Sequence, residues 1–282
     1  MLGRALTGVA GVVAALALAL PASAAAEPNY VALGDSFVAG PFIPVQIPPW
    51  GCLKSDHNYA HLAAPGIGLA LRDPSCSGAE TDDMTQEQGV WPEPNPPQFD
   101  ELGPDTQLVT LGIGGNDIGF SSLAEDCFSP NSPSGSRCKD QYTAGGSDEI
   151  SGRIAETAPK VAAVLQGIHA RSPDARVLVV NYPSIFPDEG PGCWPQMPVA
   201  DGDVAWLREK QKELNQMLAD QAAANGASLV DWYAASIGHD ACQPPGIKWV
   251  EGPVPMNAAA PVHPNLLGML GASDLVVAAA GG

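Results

Sequence analysis

Gly34-Asp35-Ser36, Gly114-Gly115-Asn116-Asp117 and His263-Pro264-Asn265 follow one another along the chain and together offer a nucleophile, an amide donor and a general base. A serine hydroxyl is a poor nucleophile until a neighbouring base takes its proton, so Ser36 needs an imidazole beside it. The chemistry this set could perform is acyl transfer through a covalent serine intermediate. Asn116 would aim its amide at the developing oxyanion, a role worth about 3–4 kcal/mol in hydrolases. Gly112, Gly114 and Gly115 would let backbone approach a substrate closely, and Asp117 reads as an anchor for that loop. Taken singly these motifs are weak, because Gly-Asp-Ser is commonly an ordinary turn and a buried Asn commonly satisfies backbone.

Position strengthens them. The runs 30–33 and 108–111 read as buried strands, and each stops at the glycine-rich turn that carries Ser36 or Asn116. Such a turn delivers side chains to the carboxyl edge of a sheet, where open α/β folds place their ligands. A further donor is suggested by Cys76-Ser77-Gly78-Ala79, where Gly78 offers a backbone N–H with no side chain in the way. Asp35 can hydrogen-bond local backbone and hold the Ser36 turn.

The histidines can be ranked. His57 and His61 sit four apart, but no catalytic Glu lies between them and no third ligand is evident, so a metal site is not expected there. His169 falls at a helix end and His239 beside Asp240, both with capping or surface explanations. His263 stands on a tight turn, since Pro264 stops local helix formation just before a helix start. It is the expected base.

The elements that must position these groups alternate apolar strands with helical patterns, which implies an α/β fold with a mainly parallel sheet covered on both faces. Strands are expected at 30–33, 67–71, 108–111, 177–181 and 228–230. One helix is expected over 148–170 with a kink at Pro159, and another over 203–224, capped by Asp203 and ended by Gly226. A last helix should follow Asn265. Pro- and Gly-rich connections at 41–50, 91–97, 129–146, 187–198 and 243–261 are long enough to be binding walls or lids. The apolar residues Phe42, Ile43, Val45, Ile47 and Trp50, close to Ser36 in sequence, suggest an acyl pocket.

Residues 1–26 read as a secretory signal peptide: Arg4 gives the positive start, 9–20 the apolar stretch and Ala22-Ser23-Ala24 the cleavage site. The remainder, 27–282, is expected to be one domain. Export suits the six cysteines. Order along the chain favours Cys52–Cys76, Cys127–Cys138 and Cys193–Cys242, although six cysteines allow 15 pairings. A formal net charge of −18 argues against nucleic acid and against capture by anionic membranes.

Gly34-Asp35-Ser36, Gly78, Gly114-x-Asn116-Asp117 and His263-Pro264 match, in order, the four sequence blocks of the SGNH (GDSL) hydrolase family. The likeness spans essentially the whole chain after the leader. Gly238-His239-Asp240-x-Cys242, then Trp249, then His263-Pro264, resembles its secreted actinobacterial lipase/esterase branch, as do the six cysteines. The resemblance implies a flavodoxin-like, three-layer α/β/α sandwich on a five-stranded sheet. It implies Ser36 as nucleophile, His263 as base, and oxyanion donors from the Ser36 and Gly78 N–H groups and the Asn116 side chain. It also implies hydrolysis of carboxylic esters, including acylglycerols and phospholipid acyl esters. That chemistry requires no metal or organic cofactor, no segment after the leader approaches the ~20 apolar residues of a stable membrane anchor, and a monomer is expected.

One position departs from the family. An acidic residue usually stands three before the histidine, and here that residue is Ala260. The imidazole still needs an acceptor for its other N–H. A main-chain carbonyl of Ala260 or Pro261 is the expected partner, and Asp240 and Glu251 are the alternatives. Two other functions stay open on sequence alone: a polysaccharide O-acetyl esterase with the same machinery, and a non-catalytic secreted binding protein on a hydrolase scaffold.

Overall fold

The computed structural model describes Gly3 and residues 29–281; the leader expected over 1–26 lies, apart from Gly3, outside the described residues. In chain order the elements are β1 (Asn29–Gly34), α1 (Ser36–Ala39), β2 (Gln46–Ile47), β3 (Lys54–Ser55), α2 (Tyr59–Ile67), β4 (Ala70–Arg72), β5 (Thr106–Gly112) and α3 (Phe120–Asp126). There follow α4 (Arg137–Tyr142), α5 (Glu149–Arg171), β6 (Arg176–Val180), α6 (Asp201–Ala224), β7 (Ser228–Val230), α7 (Trp232–Ala235) and α8 (Leu266–Gly281).

Five of the strands form one parallel sheet in the order β4-β1-β5-β6-β7, and β2 and β3 make a separate antiparallel pair. Counted within the sheet this is the 2-1-3-4-5 order of doubly wound, flavodoxin-like folds. β1 is buried along its whole length, as a strand covered on both faces should be. The helices supply the cover in pairs: α2 packs on α8, and α5 on α6. The order of strands reverses between β1 and β5, whose ends meet with Gly34 beside Gly112. Gly34 has φ +150°, and a Cβ there would lie 2.3 Å from the Gly112 carbonyl oxygen. Only glycine lets these two strand ends close up and turn.

Four of the five expected strands stand where the apolar runs put them. The segment 67–71 divides instead: Ile67 ends α2, and the edge strand covers only Ala70–Arg72. Helix α5 continues across Pro159 as one helix, held by its buried face of Ile154, Val161, Leu165 and Ile168. Asp203 does not cap α6, which starts two residues earlier. Its buried carboxylate accepts from the N–H groups of Cys138 (3.3 Å) and Lys139 (2.8 Å), at the start of α4. The helix after Asn265 is α8, and the Asn265 side chain accepts from Leu267 and Gly268 N–H at its first turn. Disulfides join Cys52 to Cys76, Cys127 to Cys138 and Cys193 to Cys242. No helix among the described residues is long and apolar enough to cross a membrane.

Candidate active site

Ser36 opens α1 immediately after β1, so the strand aims its hydroxyl at the carboxyl edge of the sheet. The turn is held from three sides. Gln98 cups Gly34, accepting its N–H at 2.8 Å and donating to its carbonyl at 2.9 Å. Asp35 N–H donates to the Gly112 carbonyl at 3.0 Å. The Asp35 carboxylate caps α1 by accepting from Phe37 N–H at 2.9 Å.

His263 arrives from the segment before α8. Its Nε2 lies 2.8 Å from Ser36 Oγ and its Nδ1 lies 2.7 Å from the Pro261 carbonyl oxygen. A carbonyl can only accept, so Nδ1 carries the proton and Nε2 is the acceptor for the serine hydroxyl. Of the two carbonyls expected to orient the ring, Pro261 is the one used. The Ala260 carbonyl is engaged by the backbone N–H of His263 at 3.2 Å. Neither carboxylate alternative reaches the ring. Asp240 accepts from Cys242 N–H and Gln243, and the Glu251 carboxylate, fully buried, accepts from Asn257, Asn265 and Met256 N–H beside Lys248. Burial pulls the His263 pKa below its ordinary value, against an opposing pull from the Pro261 carbonyl. A lowered pKa keeps the ring neutral and able to take a proton.

Asn116 lines the same cavity as Ser36 and His263. One of its amide N–H groups donates to the Ala79 carbonyl at 2.8 Å, which fixes the amide plane and leaves the second N–H unspent. Asp117, next in the chain, accepts from Thr81 N–H at 3.0 Å, so the 114–117 loop and the 78–81 segment are cross-linked twice. Gly78 sits in that segment at φ +83°. Its neighbours fix it: Cys76 N–H donates to the Gly34 carbonyl, and the disulfide ties Cys76 to Cys52. Among the described residues, the N–H groups of Ser36 and Gly78 donate to no protein acceptor. Two undirected donors, a half-free amide and a hydroxyl bonded to a neutral imidazole can together polarise a carbonyl and attack it.

The cavity is walled by Phe37, Phe120 and Tyr182, none of which the sequence motifs single out. Phe37 packs against the His263 ring at 4.9 Å between centroids and edge-on against Tyr182 at 5.0 Å. Phe120, Ile185, Gln211 and Leu214 belong both to this cavity and to an adjoining apolar one that runs on to Leu123, Met197 and Val199. The 41–50 loop supplies none of these walls. Phe42, Val45 and Trp50 face solvent, and Ile43 enters the core. Among the described residues no three His, Cys, Asp or Glu side chains are grouped to hold a metal ion.

The sequence model of the GDSL-like Lipase/Acylhydrolase family matches residues 32–269. Lipase 2 of Streptomyces coelicolor is 41% identical over 266 residues, covering 92% of this chain and 88% of that protein. Among solved structures, phospholipase A1 from Streptomyces albidoflavus NA297 superposes with a TM-score of 0.72 at 25% identity, over 90% of this chain and 99% of that one. The extracellular lipase of Streptomyces rimosus superposes with a TM-score of 0.74 at 26% identity, over 89% of this chain and 99% of that one.

Proposed function

Since the chain belongs to the GDSL-like lipase/acylhydrolase family, we propose that it is a secreted carboxylic-ester hydrolase with Ser36 as nucleophile and His263 as general base. The observation that carries this reading is the unbroken path from Ser36 Oγ through the imidazole to the Pro261 carbonyl. Ser36 Oγ attacks the ester carbonyl carbon while its proton passes to Nε2 of His263. The negative charge that develops on the carbonyl oxygen is met by the N–H groups of Ser36 and Gly78 and by the free N–H of Asn116. Collapse expels the alcohol, which takes the proton from His263, and leaves Ser36 acylated. Water then repeats the cycle, giving its proton to His263 and releasing the acid.

The apolar cavity beside Ser36, together with the open, mainly apolar groove past Phe120 and His263, supports lipid acyl esters as substrates, since the two offer an acyl chain apolar walls next to the nucleophile. Phospholipid acyl esters are included, in keeping with the S. albidoflavus phospholipase A1 among the structural neighbours. An O-acetylated polysaccharide would leave that cavity empty. Export is supported by the leader read in 1–26 and by the three disulfides. The chain acts as a monomer on this reading.

The test is a panel of nitrophenyl esters of increasing chain length, run beside a phospholipid assay with wild type and Ser36→Ala. Turnover that rises with acyl length and is lost by orders of magnitude in the variant is expected. Near-wild-type turnover by Ser36→Ala, or failure of a fluorophosphonate probe to label Ser36, would end the proposal.

A further inference from the structure

Tyr182 lies between the two loops of the site and touches both. Its hydroxyl oxygen accepts the Gly115 N–H at 2.8 Å, and its proton goes to Asp35 Oδ2 at 2.5 Å. The other oxygen of Asp35 accepts from Phe37 N–H at 2.9 Å. Asp35 and Tyr182 are both buried. A single hydrogen-bonded chain therefore runs from the amide before Asn116, through a phenol, to the carboxylate before Ser36. Tyr182 is itself clamped to α6: its N–H donates to Asn215 Oδ1 at 3.0 Å, and Asn215 Nδ2 donates to its carbonyl at 2.9 Å. Gly115 must be glycine for this contact, because a Cβ would fall 2.9 Å from the phenol oxygen.

We propose that Asp35 and Tyr182 are a positioning pair that locks the Ser36 turn to the Asn116 loop, and that the lock is complete only when Asp35 is ionised. The inference rests on the hydrolase reading above. It follows from counting donors. A phenol has one proton to give and Gly115 already supplies one to its oxygen, so the phenol proton must find an acceptor. Ionised Asp35 is that acceptor. If Asp35 Oδ2 carried a proton it would donate to the phenol, and the phenol O–H would be left buried without a partner. If Oδ1 carried it, the proton would face the Phe37 N–H. In the first case the phenol oxygen must accept from both Asp35 and Gly115 while its own proton goes unpaired, and in the second the Ser36 turn loses its cap on the Phe37 N–H.

Burial opposes ionisation and pushes Asp35 up to about 7, with the Tyr182 and Phe37 hydrogen bonds pulling the other way. Of the groups that face it, the Asp117 carboxylate adds repulsion. Tyr59 and Tyr182 are phenols held well above their usual range and stay neutral. The imidazole of His263 is bonded to Ser36 and Pro261 and not to Asp35. Lys160 offers its ammonium to Asp117, at 3.6 Å, and not to Asp35. The lock is therefore poised to open as the medium turns mildly acidic, independently of His263, whose own pKa burial lowers.

The test compares wild type with Tyr182→Phe, which keeps the ring and removes the link. In wild type the Gly115 amide resonance should titrate with the same midpoint as the Asp35 carboxyl carbon, and in Tyr182→Phe the amide should no longer follow it. With a soluble nitrophenyl ester, kcat should fall at least tenfold in the variant while KM moves less than threefold. The acid limb of kcat should lose its Asp35 component, because with the phenol gone the ionisation of Asp35 no longer reaches the Asn116 loop. A Gly115 amide that titrates identically in both proteins, or an unchanged kcat and acid limb, overturns the proposal. Fluorophosphonate labelling of wild-type Ser36 separates the two readings. Without labelling the hydrolase assignment falls, while the amide titration still judges the pair.

Discussion

The carbonyl oxygen of Pro261 holds the Nδ1 proton of His263 from only two residues away. The geometry depends on Val262 between them, which sits in the left-handed region at φ +59°, an unusual place for a β-branched residue. That turn brings the carbonyl back over its own imidazole. An acceptor so close in the chain orients the ring as a carboxylate would, but it carries no full charge to stabilise an imidazolium. The support for His263 is thus local and neutral, and the remote carboxylates have other work.

If the Pro261 carbonyl is the sole orienting group, Asp240→Asn should keep kcat within about threefold of wild type, against the roughly 10⁴-fold loss that follows when a true triad aspartate becomes Asn. Steady-state kinetics on a short ester decides it. A collapse of kcat in a folded Asp240→Asn protein would place that carboxylate in the machinery. Glu251→Gln is a different case. It leaves the buried Lys248 ammonium, 3.4 Å away, without its partner, and should destabilise the protein by about 3–5 kcal/mol. The loss should appear in the denaturation midpoint before it appears in kcat.

Asn116→Ala should lower kcat about 10²- to 10³-fold, the loss found when one oxyanion donor is removed. KM should change little, because the donor matters most when the carbonyl oxygen carries charge. Asn116 also donates to the Ala79 carbonyl, so part of the loss could come from a loosened Gly78 segment. Thr81→Val separates the two. It removes the side-chain half of the other cross-link, Thr81 to Asp117, and leaves the Asn116 amide in place. It should cost far less in kcat than Asn116→Ala. Equal losses in the two variants would assign Asn116 a scaffolding part only.

Sequence made some of this visible and hid the rest for a physical reason. β1 and β5 announce themselves as continuous apolar runs because both faces of a parallel sheet are covered. Ser36 and His263 stand in short motifs because each depends on its own turn. Tyr182 is bonded to a residue 147 positions away, and Gln98 to one 64 away. Nothing local marks either, and only the assembled sheet brings them to the site. The 41–50 loop is greasy and near Ser36 in sequence, yet it does not hold the apolar cavity. That cavity is built instead where α3 faces α6, from residues that look like ordinary core in a one-dimensional reading.

Phe120 stands at the meeting of the Ser36 cavity, the adjoining apolar cavity and an open groove of about 400 Å³ that also borders His263. Phe120→Trp should narrow the passage into the apolar cavity while leaving Ser36 and His263 untouched. We expect kcat/KM for a decanoyl ester to fall at least tenfold and that for an acetyl ester to stay within threefold, the scale of discrimination a few methylenes allow in an apolar site. An unchanged profile across the chain-length panel would mean that the acyl chain lies elsewhere.

Asp35 also ties stability to pH, with a sign that can be worked out. Its carboxyl is pushed up to about 7 in the fold from an ordinary value of 3.8, with desolvation as the main cause. A raised carboxyl favours folding while it is protonated, so that contribution is whole below about pH 4 and disappears as pH rises through 7. Across that window the cost of ionising Asp35 grows to roughly 4 kcal/mol. Asp35→Asn stays neutral throughout and is spared it. Any penalty the new amide meets at the Tyr182 hydroxyl is the same at both ends of the window. Relative to wild type, the variant should therefore become steadily more stable from pH 4 to pH 8, read as the difference between their urea midpoints, while its kcat is reduced. A difference that stays flat over that range would show that Asp35 titrates near its ordinary value, and that the Ser36 turn carries no such strain.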